Sequence, residues 1–286
     1  CVFMNNKISR LYFLCLFLVC VLFRVIDIFV LRLDEPPINE IILSKTLGLL
    51  LLSLYLRFIH SSFGEIGFHS KHLFSSIFVS LIFVLLGVIV VYGIQFIYLQ
   101  VKGAKPYLAL QEYSLLAILV SVIAGNIINA LMEEGLFRWL MITQFINHST
   151  FWKINILQAF IFSIWHLVWP IKNFYMGKAV SIENLAVMSS GYIIISFLMG
   201  LTMGYIFYKT GNLWIAFVWH FFNDLTQNLL VVRNGNPSIE PAILNTSSAL
   251  VKGLSFILLF IIINVSLKYF ISFKVNWNWN VVIILK

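Results

Sequence analysis

The chain has 286 residues, of which 61% are apolar and 10% charged, with a mean hydropathy of +0.97. An ordinary soluble domain carries about 25% charged residues, so this chain cannot coat a water-facing surface, and both a soluble globule and a disordered chain are excluded. The net charge of +8 does not point to nucleic acid, because the 19 Lys and Arg are scattered and mostly flank apolar runs, where such residues anchor helices to anionic headgroups.

A bilayer is crossed by about 20 mainly apolar residues. Eight such segments are predicted, at 11–33, 41–59, 74–99, 114–143, 152–169, 184–208, 213–232 and 249–272. Short connections hold most of the Pro and Lys. The predicted fold class is therefore all-α: one polytopic membrane bundle of about eight transmembrane helices, residues 1–286 forming a single domain. The implied location is integral and multi-pass.

The first segment follows Lys7 and Arg10. It exceeds the apolar core of about 7–15 residues in a signal peptide and is read as a membrane helix. Cys15 and Cys20 lie inside it and Cys1 is terminal, which gives neither a disulfide framework nor a zinc spacing. It also carries Arg24 and Asp27, which at i and i+3 read as an internally paired orienting feature rather than as chemistry.

An ionisable group at the bilayer centre costs roughly 2.5–3.5 kcal/mol on insertion scales, so each needs a reason. On the fourth helix successive residues turn by about 100°, which groups Asn126, Asn129 and Glu133 on one face. Glu134 lies further round and reaches Arg138 one turn on, so that pair is expected to hold the helix in register while Glu133 points elsewhere. The fifth helix carries Phe162 and His166 one turn apart. On the sixth, Gly200 and Gly204 form a small-residue pair suited to close helix contact. The seventh presents His220, Asn223, Asp224 and Gln227 on one arc. Polar stripes on three apolar helices must face one another or a wet cavity. Lys7, Arg10, Lys268, Lys274 and Lys286 favour cytoplasmic termini, and the alternating tail Asn276–Asn280 suits an interfacial belt.

Single features of this kind are ordinarily structural, and His60, His69, His72 and His148, in loops or near interfaces, carry no weight. The conjunction of carboxylate and imidazole groups on three helices supports two chemistries. In one, Glu133, His166, His220 and Asp224 bind a divalent metal, zinc fitting best, that acidifies a water. In the other no metal is needed: Glu133 acts as general base on a water, and the His groups with Asn223 stabilise an oxyanion. A Ser163 nucleophile is disfavoured, since no Gly-x-Ser-x-Gly is present and Glu133 would have no role.

The motifs Glu133-Glu134-Gly135-Leu136-Phe137-Arg138, Phe162-Ser163-Ile164-Trp165-His166 and His220-Phe221-Phe222-Asn223-Asp224 resemble those of the CAAX-processing and bacteriocin-protection (Abi) intramembrane protease family, which includes the Rce1-type prenyl-protein endopeptidases. The resemblance covers about 114–230, the expected catalytic core. It implies an endopeptidase acting on a membrane-associated or lipidated peptide, in the plasma membrane of a bacterium or an endoplasmic-reticulum-type membrane. It assigns Glu133 to activate water, with His166 and His220 as metal ligands or oxyanion donors. Asp224 stands where many members carry Asn. An ionised Asp cannot donate a hydrogen bond, so this departure favours a metal, or Asn223 as the donor, or an Asp224 that orients His220. From other classes, the alternatives are an ion- or proton-coupled transporter that uses the same buried Glu and His as a relay, and a non-catalytic immunity protein that binds a bacteriocin or its receptor.

Overall fold

The computed structural model describes residues 6–35, 40–69, 73–146, 149–177, 181–235 and 241–272. The tail Asn276–Asn280, His72 and His148 lie outside the described residues. Eight helical segments match the predicted ones in order. Helix α1 runs Asn6–Val25 and continues as wider π turns over Ile26–Leu31; α2 is Ile42–Phe58, α3 Leu73–Val101 and α4 Leu115–Phe145. Helix α5 spans Phe151–Tyr175, α6 Ile182–Thr210, α7 Leu213–Leu229 and α8 Pro241–Ser272. Five of them, α1 and α3 to α6, are long and apolar enough to cross a membrane by length and composition; α2 and α7 have 17 residues each.

Local sequence sets several boundaries. Ser181 caps α6, accepting from Asn184 N at 3.2 Å, and Gly211 closes its other end at φ 62°, a left-handed conformation that costs glycine little. Asn212 then caps α7 by accepting from Trp214 N at 2.8 Å. Pro170 interrupts α5. It has no N–H for the His166 carbonyl, which accepts from Trp169 N at 3.3 Å instead, and the chain makes tighter turns at His166 and Leu167. The sequence reading ran this helix straight through to 169.

The seventh segment also ends earlier than expected. Residues Leu230–Asn234 form a strand, β2, antiparallel to β1 at Pro106–Leu110, with Ala109 opposite Val231 and Leu110 opposite Leu230. The Leu-Val-Val run favours extended backbone once a partner strand takes its hydrogen bonds, and periodicity alone does not reveal that partner.

Leu11, Leu14, Leu18 and Leu22 on α1, and Phe74, Phe78, Leu81, Leu85 and Ile89 on α3, are exposed at helical spacing. Such outward apolar stripes suit lipid; with the spans above, they make this an integral membrane protein. Inside, α4 is the axis. It packs on α1 and α2 around Phe137, Leu140, Phe162 and Trp165, and its other side meets α7. A second cluster joins α3, α6, α7 and α8 through Phe83, Met203, Trp219 and Ile263.

Candidate active site

A cavity of about 1010 Å³ opens beside α4, lined by Asn126, Asn129, Glu133, His166, His220 and Asp224 among others. Asn223 also faces it. The structure thus brings the polar stripes of three helices to one space. Glu134 and Arg138 lie behind this wall, fully buried, with Arg138 Nε 3.2 Å from Glu134 Oε2.

Glu133 is fully buried at the cavity wall and its two oxygens are held differently. Oε1 accepts from Trp165 Nε1 at 2.8 Å and faces Arg24 Nη1 at 3.4 Å. Oε2 has no hydrogen-bond partner among the described residues and lies 3.7 Å from His220 Nε2. That separation exceeds a direct hydrogen bond and leaves a lone pair for a water.

The Arg24 contact corrects the sequence reading. Arg24 is not paired with Asp27: Asp27 Oδ2 accepts from Ser44 N at 2.7 Å at the start of α2, while Arg24 reaches across to Glu133 and stacks on Trp165, its Cζ 4.4 Å from the ring. Spacing within one helix cannot reveal a partner 109 residues away. Trp165 directly precedes His166 in the motif, and spacing within its helix likewise gives no sign that its N–H reaches Glu133.

His220 is clamped on both sides. Its Nδ1 is 2.7 Å from Glu134 Oε1, and its Nε2 is 3.3 Å from Asp224 Oδ2. The expectation that Glu133 and Glu134 act on separate faces therefore needs amendment, since both carboxylates approach this one ring. The backbone from Glu134 to Met141 is π-wound, and that wider winding changes the facing computed for a regular α-helix. Asp224 sits as an acceptor on the ring, in keeping with an orienting partner. Among the described residues, Asn223 Nδ2 makes only a 3.8 Å contact to Met199 Sδ.

His166 holds its Nδ1 2.8 Å from the Phe162 carbonyl. A carbonyl only accepts, so Nδ1 carries hydrogen, and in the neutral ring Nε2 is left as an acceptor. Phe162 packs against both imidazoles and the Arg138 guanidinium: its ring is edge-on to His166 at 4.6 Å and to His220 at 6.2 Å, and Arg138 Cζ lies 4.0 Å from its centroid. Ser163 donates to Phe160 O at 2.7 Å and does not line the cavity, so it is no nucleophile here.

Glu133, His166, His220 and Asp224 were the expected ligands if a metal is used. Among the described residues no three His, Cys, Asp or Glu are arranged to hold one. Both His220 nitrogens already face carboxylates and His166 Nδ1 is taken by backbone. This donor set does not fit the zinc arrangement as it stands.

Residues 114–226 match the family model described as type II CAAX prenyl endopeptidase Rce1-like. The resemblance drawn from the three motifs is thereby borne out over that segment. No curated protein and no solved structure matches the chain.

Proposed function

From a chain whose central segment is Rce1-like, we propose an intramembrane endopeptidase that hydrolyses a peptide bond of a membrane-associated or lipidated, CAAX-type substrate with a water activated by Glu133. The observation that carries this is the unpartnered Oε2 of Glu133, buried beside His220 Nε2 in the cavity that His166 also lines. The bilayer in question is the plasma membrane of a bacterium or an endoplasmic-reticulum-type membrane.

In this mechanism Arg24 and Trp165 fix Oε1, which aims Oε2 at the water. His166, donating from Nδ1 to Phe162, offers its Nε2 lone pair to the second hydrogen of that water. Glu133 Oε2 takes one proton as the water oxygen attacks the scissile carbonyl carbon, and the carbonyl electron pair becomes an oxyanion. His220, held by Glu134 at Nδ1 and by Asp224 at Nε2, keeps its ring beside Glu133 Oε2, and Asn223 Nδ2 on the cavity wall donates toward that oxyanion. Glu133 then returns its proton to the leaving nitrogen as the C–N bond breaks. Arg138 balances the charge of Glu134.

The test is cleavage of a membrane-tethered peptide by the purified protein in lipid vesicles. Glu133→Gln keeps the shape of the side chain but cannot accept the proton, and is expected to lower kcat by about 10²–10⁴-fold. Cleavage at the wild-type rate by that variant overturns the assignment.

A further inference from the structure

Asn129 lines the reaction cavity yet takes no part in the hydrolytic steps. It is 7% exposed, and its buried Oδ1 has no hydrogen-bond partner among the described residues. The other buried asparagines among those residues are committed. Asn126 Nδ2 donates to the Val122 carbonyl at 2.9 Å and Asn155 Nδ2 to that of Leu201 at 3.0 Å; Asn212 Nδ2 donates to Ser76 Oγ at 2.7 Å while its Oδ1 caps α7. A buried carboxamide oxygen without a donor is costly.

Its neighbours indicate what would complete it. Arg24 faces Glu133, one turn beyond Asn129 on α4, and Lys45 is 2.6 Å from Glu40, whose carboxylate lies over Gly125, one turn before. The charges on either side are thus paired. A neutral carboxamide between them, with an acceptor and donors of its own, matches a neutral ligand that also carries both, which is what a peptide backbone is.

The position selects which part of the backbone. Asn126–Glu133 is a regular α stretch, so Asn129 and Glu133 share a face about 6 Å apart along the axis. An extended peptide covers that length in about two residues. The N–H and C=O of one extended residue point to the same side, as in paired strands, so a single carboxamide can meet both. We propose that Asn129 binds the main chain of the substrate about two residues from the scissile bond, Oδ1 accepting the N–H of one residue and Nδ2 donating to its C=O. This rests on the endopeptidase reading above and adds a specificity determinant to it, one that selects an extended strand whatever its side chains.

The test uses membrane-tethered peptides and the full chain in lipid vesicles. At each of the three residues on either side of the scissile bond, one backbone N–H at a time is replaced by an ester oxygen, the scissile amide itself excepted. One ester, about two residues from that bond, is expected to lower kcat/KM about tenfold, mainly through KM, because it strands the buried acceptor. Asn129→Leu is expected to bring the ester-to-amide ratio at that position close to one; Asn129→Ala, which opens space instead of filling it, does the same and serves if the Leu variant does not fold. A purely structural Asn129 would slow every peptide alike and leave the ratio unchanged. A wild type indifferent to every ester, or a ratio that survives in the Asn129 variants, overturns the proposal while leaving the hydrolase intact. If the wild type cleaves none of the peptides, the endopeptidase reading fails instead. Binding of the same peptides, fluorescently labelled, then decides the backbone site: weaker binding of one ester, lost in the Asn129 variants, sustains it, and equal affinities end it.

Discussion

Arg24 and Glu133 meet at 3.4 Å with side-chain exposures of 5% and 0%. Two charges so far from water stay tolerable only as a pair, and removing one partner of a buried pair costs about 3–5 kcal/mol. Arg24→Met is therefore expected to lower stability by about that much, read as a drop in the thermal midpoint in detergent. The double variant Arg24→Met with Glu133→Gln should recover part of it, since no carboxylate is then stranded. The same residue positions Glu133 Oε1, so Arg24→Met also lowers kcat in vesicles.

The α5–α6 pair shows how element packing supports the site. A Cβ on Gly200 would stand 2.9 Å from the Ala159 Cα and 3.0 Å from its Cβ, so the two helices approach as closely as backbone allows. Gln158 Nε2 donates to the Gly200 carbonyl at 2.7 Å and Asn155 Nδ2 to that of Leu201 at 3.0 Å. These bonds tie the helix that carries Trp165 and His166 to the helix that lines the far wall of the cavity. Gly200→Ala forces backbone apart and is expected to cost about 1–3 kcal/mol, as overpacking does, with a lower thermal midpoint as the readout. An unchanged midpoint would mean that the contact is looser than described. Within α5, Pro170 breaks the ladder one turn beyond His166, so the imidazole sits at a bend rather than on a continuous helix face.

At the scale of the whole molecule, the two hydrophobic clusters divide the labour. One holds α4 against α1, α2 and α5; the other gathers α3, α6, α7 and α8. Helix α8 closes the second cluster with Phe256, Leu259, Ile263 and Leu267, and its Lys252, Gly253, Leu254 and Ile257 complete the cavity wall. A chain ending at Gly235 removes that wall and opens the second cluster to lipid. It is expected to lose cleavage of the tethered peptide and to melt at a lower temperature. Retained activity would place the wall of the reaction chamber elsewhere.

Composition and apolar periodicity alone were enough to establish a helical membrane protein, since so few charges leave no other solvent for its surface. The three motifs on helices four, five and seven were legible as well, because an acid or imidazole within an apolar run is conspicuous. The close approach at Gly200 was also readable, as small residues one turn apart invite a neighbour. What the sequence left undetermined depends on contacts between distant segments. Arg24 crosses to Glu133, Trp165 turns its N–H to the same carboxylate, and Glu134 reaches His220 through a π-wound stretch. Lys45 and Lys252 enter the cavity wall, and Leu230–Asn234 pairs as a strand instead of extending a helix. Helical spacing predicts which residues share a face of one helix, but only the packed bundle determines which faces meet and which charges find partners.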